Sequence, residues 1–251
     1  MSNWSVTQHG GVALLTFTRP PRNFLDFASM LELGDRLEEI AEQSEQVKVV
    51  MLTGGVDGYF VAQGDMADLQ RAGRGEAPEG IPSWLRLTGL LRDIPQPTVA
   101  AVDGQAWGGG NELALACQLR IGSERAHLGN PEVKVGIIPG GGGSQRLPRL
   151  IGPGFAADAI LRGKVFQAAE ALRLGWLNAV LPVDGFVDAA VAWCQEMADL
   201  PSAGLFAAKK VFVQGLELPL EQGIKLETEE FLDIVGSSPE FDERIRRLSQ
   251  Q

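Results

Sequence analysis

The stretch Gly129-Asn-Pro-Glu-Val-Lys-Val-Gly-Ile-Ile-Pro-Gly-Gly-Gly-Gly-Ser-Gln-Arg-Leu147 holds a loop carboxylate, an apolar run and a glycine-rich helix entry in close succession. Pro131 and Glu132 precede the apolar Val135-Gly-Ile-Ile138. Pro139 and the glycines 140 to 143 then open a helix expected near Ser144–Ile151. Glycine lets a ligand approach the backbone with no Cβ in the way. A helix start presents unsatisfied N–H groups and a partial positive charge.

Two earlier stretches share that design. In Ala101-Val-Asp-Gly-Gln-Ala-Trp-Gly-Gly-Gly-Asn-Glu-Leu-Ala-Leu-Ala116, three glycines open a helix predicted over Asn111–Cys117, with Glu112 in its first turn. Tyr59-Phe-Val-Ala-Gln-Gly-Asp-Met-Ala-Asp-Leu69 reads as a turn entering a helix. Two N–H groups converging on one oxygen would make an oxyanion hole. A carboxylate among Leu113, Leu115 and Ala116 is costly to bury unless paired or protonated. Taken singly, each feature has a plainer reading. Glu112 serves equally well as compensation of the helix dipole, Glu132 as a surface residue, and each glycine run as a tight turn.

Around these stretches, strands and helices alternate. Val12–Thr18 reads as a strand, Phe27–Gln46 as an amphipathic helix and Val47–Thr53 as an apolar strand. Residues 71–82 lack apolar periodicity and read as a mobile surface loop. Trp84–Ile94 is predicted helical, Thr98–Val102 a short buried strand and Asn178–Leu181 another strand. The alternation argues for an α/β core, with a helical part from about Pro201. The C-terminal helices carry apolar stripes (Leu205, Phe206, Val211 and Phe212; Leu220, Ile224, Phe231 and Ile234) too extensive for a small appendage to bury alone.

The 251 residues are 45% hydrophobic and 22% charged, a globular balance. A net charge of −10 with no basic cluster argues against nucleic acid. Cys117 and Cys194 give no disulfide framework. No signal peptide or transmembrane-length apolar run is visible, so no membrane association is expected and the cytoplasm is the expected compartment. Gly163–Lys164 fails as a phosphate loop, with Asp158 and Val165 at its key positions. Gly142-Gly-Ser-Gln-Arg146 fails as a nucleophile elbow. His9 and His127 are the only histidines. No metal site is therefore expected, His127 reads as structural, and acid–base work falls to carboxylates.

Together the three stretches resemble the crotonase superfamily, the enoyl-CoA hydratase/isomerase family. The similarity runs in order from the N-terminal strand and Arg22-Asn-Phe-Leu25 to about Phe231. It implies an α/β fold, a crotonase-like spiral of ββα units with a helical C-terminal trimerisation region. Residues 1–200 would form the core with the acyl-CoA site, and 201–251 the helical region, assembled as a homotrimer or homohexamer.

The resemblance also implies roles. The backbone N–H groups of Gly64 and Gly109 would form the oxyanion hole. Glu112 would activate water, Glu132 would protonate Cα, and Gly140 would help hold the water. Ala62, Gly64, Asp65 and Met66, with Arg22, Asn23 and Leu25, resemble the part that binds coenzyme A. No permanently bound cofactor is implied, since coenzyme A arrives as part of the substrate. The implied activity is hydration of a 2-enoyl-CoA to the 3-hydroxyacyl-CoA, in fatty-acid β-oxidation or related acyl-CoA metabolism. Isomerisation of the enoyl double bond, and acyl-CoA binding without catalysis, remain open as alternatives. The chain departs from the family pattern at Gln63, where glycine is usual, and at Asn111, usually small or Cys. Asp242–Glu243 departs too, and the chain stops short of the usual Phe-containing tail. Lys209 and Lys210 are expected in solvent.

Overall fold

The computed structural model describes residues 2–249. Strands β1 (Trp4–His9), β2 (Val12–Phe17), β4 (Val49–Gly54), β6 (Thr98–Val102), β8 (Leu119–Ser123) and β11 (Ala179–Leu181) form one sheet in that order. Only the β1–β2 pair is antiparallel. Short strands β3 (Phe24–Leu25) and β5 (Gln63–Gly64) pair in parallel. Strands β7 (Gln105–Trp107), β9 (His127–Gly129) and β10 (Val165–Gln167) make a three-stranded layer.

Eleven helices complete the described residues. They are α1 (Phe27–Ala41), α2 (Met66–Gly73), α3 (Gly80–Asp93), α4 (Gly109–Ala116), α5 (Gly143–Ile151) and α6 (Pro153–Leu161), then α7 (Ala168–Arg173), α8 (Phe186–Ala198), α9 (Ser202–Gly215), α10 (Leu220–Ser237) and α11 (Pro239–Leu248). Each successive turn of the chain places one strand in the main sheet, one in a small sheet, and then a helix. β4–β5–α2 and β6–β7–α4 are two such ββα units.

Alternation along the central strands explains why both faces of the main sheet are apolar. Val49 and Met51 of β4 face a layer that includes Phe186, Ala190 and Cys194 of α8. Val50 and Leu52 face the larger core beneath α1, α3 and α4. A strand buried on both faces reads as a continuous apolar run, which is why β4 and β6 were legible.

Other boundaries move for physical reasons. β1 escapes sequence reading because only Trp4 of its six residues is buried. Trp4 packs on Phe17 with ring centroids 4.9 Å apart. α1 ends at Ala41 rather than Gln46. The segment 71–82 is not wholly a loop, because α2 reaches Gly73 and α3 starts at Gly80. Asp65 caps α2 by accepting from the N–H groups of Ala67 and Asp68. Gly80 sits where a Cβ would lie 2.3 Å from the Phe27 ring, and Pro82 is tolerated in a first turn that needs no N–H donor.

Lys209 is a correction to the sequence reading. It is 6% exposed, and its ammonium donates to the carbonyls of Leu91, Ile94 and Gln96 at 3.2, 2.7 and 2.8 Å. It thus satisfies the open carbonyls at the end of α3, and burial pushes its pKa down to about 8. Lys210 is exposed and pairs with Glu230. His127 is held in place, its Nδ1 accepting from the Trp107 indole at 3.0 Å. Among the described residues, no helix is long and apolar enough to cross a membrane.

Candidate active site

Glu112 reaches its position because the chain enters α4 through glycine. Gly108 has φ +49°, a region L side chains rarely adopt. Gly110 lies so close to β5's approach that a Cβ there would sit 1.8 Å from the Val61 carbonyl oxygen. The tight entry brings the first turn of α4, and with it Glu112, inside the protein.

The Glu112 carboxylate is only 4% exposed. Its Oε1 accepts from the N–H groups of Gly141 and Gly143 at 2.7 and 2.8 Å. Those donors are themselves held, since the Gly141 carbonyl accepts from the Trp84 indole and from Arg146, both at 3.0 Å. Burial pushes the Glu112 pKa up to about 7; the Gly143 and Gly141 donors and Arg146 oppose this, and the nearby Glu132 charge adds to it.

Glu132 lies in a 3₁₀ turn, Pro131–Val135, directly after β9. It is half-buried, and burial also raises its pKa, against the hydrogen bond from Asn130. Asn130 donates Nδ2–H to Oε1 at 3.0 Å. Oε2 is buried with no protein hydrogen-bond partner. Behind Asn130 stands Asn111, whose Nδ2 donates to Asn130 Oδ1 at 2.8 Å, and Asn111 Oδ1 accepts from the Trp176 indole at 3.2 Å.

Both carboxylates border one cavity of about 260 Å³. Gly64 and Gly109 also line it. Gly109 is the first residue of α4, a position whose N–H has no acceptor within the helix. The two glycines touch: a Cβ on Gly109 would lie 3.1 Å from the Gly64 nitrogen. Phe27, Met30, Leu69, Ile81, Trp84 and Trp107 make most of the remaining wall apolar.

The other expected residues fall into two groups. Gly140 and Met66 line the cavity, as does Gln63. Asn23, Leu25 and Ala62 are buried away from it. Asn23 adopts φ +52° and bonds the carbonyls of Phe17 and Phe60 while accepting from the Arg19 N–H. Asp65 caps α2 and pairs with Arg19 at 2.9 Å. Arg22 is exposed. Sequence reading missed Trp84, Arg146, Asn130 and Trp176. Asn111 alone carried a signal, being an amide beside Glu112 in a helix whose other side chains are apolar.

Comparison with known proteins follows this geometry. The sequence model of the family described as enoyl-CoA hydratase/isomerase matches residues 7–242. A carnitinyl-CoA dehydratase from Citrobacter koseri is 33% identical over 222 residues, covering 87% of this chain and 83% of that protein. The crystal structure of an enoyl-CoA hydratase from Bacillus anthracis superposes with a TM-score of 0.92 at 31% identity, covering 99% of this chain and 97% of that one. Pseudomonas aeruginosa DspI superposes with a TM-score of 0.93 at 28% identity, covering 100% of this chain and 95% of that one.

Proposed function

Since the chain belongs to the enoyl-CoA hydratase/isomerase family, we propose that it adds water across the 2,3 double bond of a 2-enoyl-CoA, and that Glu112 and Glu132 share the proton transfers. The observation that carries this is the buried Glu112 and half-buried Glu132 on one cavity, which two touching glycine backbones also line. Isomerisation needs chiefly one base, and two carboxylates suit the addition of water.

The chemistry follows from the groups present. The thioester oxygen lies against the N–H groups of Gly64 and Gly109, where enolate charge develops; each such donor is worth about 3–4 kcal/mol in measured oxyanion holes. Glu112 takes a proton from water as its oxygen bonds Cβ, and Glu132 gives a proton to Cα. Burial raises both pKa values, and the Glu132 charge adds to the rise at Glu112, so the two carboxylates titrate as a pair. Two backbone donors hold the Glu112 carboxylate and one amide holds Glu132. The resemblance to the hydratases assigns the charged role to Glu112 and the protonated one to Glu132. The apolar wall accepts the acyl chain. The similarity to carnitinyl-CoA dehydratases fits the same site run in reverse, since dehydration retraces the hydration path.

The test is incubation with crotonyl-CoA and with a longer 2-enoyl-CoA, following enoyl absorbance and identifying products by mass and chromatography. The 3-hydroxyacyl-CoA is expected from both. A product of unchanged mass with a shifted double bond, or no product at all, would overturn the proposal.

A further inference from the structure

We infer that Trp176, Asn111 and Asn130 form a one-way hydrogen-bond relay that positions Glu132 and confines its transferable proton to Oε2. This rests on the hydratase reading above and names residues that act through Glu132 without bordering the cavity.

The direction of the relay follows from its far end. An indole N–H only donates. The Asn111 atom 3.2 Å from Trp176 Nε1 is therefore Oδ1, which turns Nδ2 toward Asn130. The Asn130 atom facing it at 2.8 Å must accept and is Oδ1. Asn130 then presents Nδ2–H to Glu132 Oε1 at 3.0 Å. Each amide orientation is forced by the one before it. A proton on Oε1 would meet the amide hydrogen, so a protonated Glu132 carries it on Oε2, the oxygen with no protein partner.

The relay is sheltered and rigid. Trp176, Asn111 and Asn130 are each 0% exposed, so solvent does not compete for the bonds. The Trp176 ring packs on Phe166 at 5.5 Å, and the Trp176 carbonyl accepts from Arg120 at 2.9 Å. An asparagine buried beside Leu113 and Leu115 is tolerable because both ends of its amide are bonded. Around Glu132 the charged groups are Glu112 from α4, Arg146 from α5 acting on Glu112, and Lys134 of its own turn, whose stem lies against Gly163.

In the reaction the bonds balance. Water's oxygen bonds Cβ and its proton goes to Glu112; the Glu132 Oε2 proton goes to Cα. The carboxylate left at Glu132 is stabilised by the Asn130 N–H already aimed at it.

The test uses Asn130→Leu, which removes the donor, and Trp176→Phe, which keeps a ring against Phe166 but lets both amides turn. Two readouts are taken on each: crotonyl-CoA kinetics against pH, and the ¹³C titration of the Glu132 carboxyl, assigned with Glu132→Gln. Asn130→Leu should lower kcat about 10- to 10²-fold, the scale of a misplaced reacting group, with KM unchanged. The alkaline limb and the carboxyl titration should both move to higher pH, since the lost donor favoured the charged form. Trp176→Phe should move them less, in the same direction. If the wild type hydrates and neither the titration nor the limb moves in either variant, whatever their melting temperatures, the relay is wrong and the functional reading stands. If the wild type does not hydrate yet the titration moves, the relay holds and the functional reading falls.

Discussion

A Cβ on Gly109 would lie 3.1 Å from the backbone nitrogen of Gly64. These residues come from α4 and β5, far apart in sequence, and meet at the cavity wall. A methyl group at position 109 would stand beside the Gly64 N–H. Gly109→Ala should therefore lower kcat/KM by at least roughly 10²-fold, the measured scale for losing one oxyanion donor, and Gly109→Val should abolish turnover and weaken acyl-CoA binding. Melting temperatures should stay close to wild type. Gly110→Ala is the contrast, because its Cβ would strike the Val61 carbonyl at 1.8 Å and stability should fall first. Undiminished kcat/KM in folded Gly109→Val would remove the oxyanion assignment.

Glu112 imposes a pH dependence on stability. Its pKa rises on folding from 4.5 to about 7. Between these values the native state binds more protons than the unfolded chain, so stability falls as pH rises through the window. Glu112→Gln cannot ionise and avoids that penalty. The variant should melt higher than wild type at pH 8, with the advantage gone by pH 4. A constant difference across this range would contradict the buried-carboxylate account.

The same ionisation shapes catalysis. Glu112 must be charged to take a proton, so hydration kcat/KM should climb with pH through about 7. Glu132 titrates coupled to Glu112, with its own pKa raised by burial, and should set the second limb of the profile. A profile with its acid limb in the ordinary carboxylate range would show that Glu112 is not the base.

Lys209 should matter for stability more than chemistry. Lys209→Met leaves the buried Ile94 and Gln96 carbonyls without a donor, at about 1–3 kcal/mol for an unsatisfied group, while the Leu91 carbonyl keeps the Gln118 amide. The melting temperature should drop while kcat is little changed. Unaltered melting would show that water replaces the ammonium.

Assembly is the expectation with the largest surface behind it. α10 and α11 bury none of their residues within the protomer, and Leu216, Leu220 and Phe231 are 75%, 78% and 62% exposed. Faces this apolar suit subunit contacts. Light scattering should give a trimer or hexamer, and a stable monomer at micromolar concentration would contradict it.

What was legible in the sequence follows from range of interaction. Glycine-opened helices and doubly buried strands are local signals, so α4, α5, β4 and β6 could be read directly. Glu112 and Glu132 could be placed at a site only through family resemblance, because each alone fits a helix-dipole or surface role. Asn130, Trp84 and Trp176 were hidden because their meaning lies in partners distant along the chain. Trp84 fixes Gly141 across 57 positions, and Trp176 fixes Asn111 across 65. Lys209 read as solvated for the same reason, its three acceptors being brought together only by the end of α3.

The central claim is that two carboxylates on one cavity, the buried Glu112 and the half-buried Glu132, carry the hydration. The most direct measurement is kcat for crotonyl-CoA hydration by the wild type, Glu112→Gln and Glu132→Gln, with coenzyme A thioester affinity measured alongside. Each variant should lose at least roughly 10²-fold in kcat, the scale of general acid–base catalysis, while affinity changes far less. Near-wild-type hydration by either variant would contradict the account.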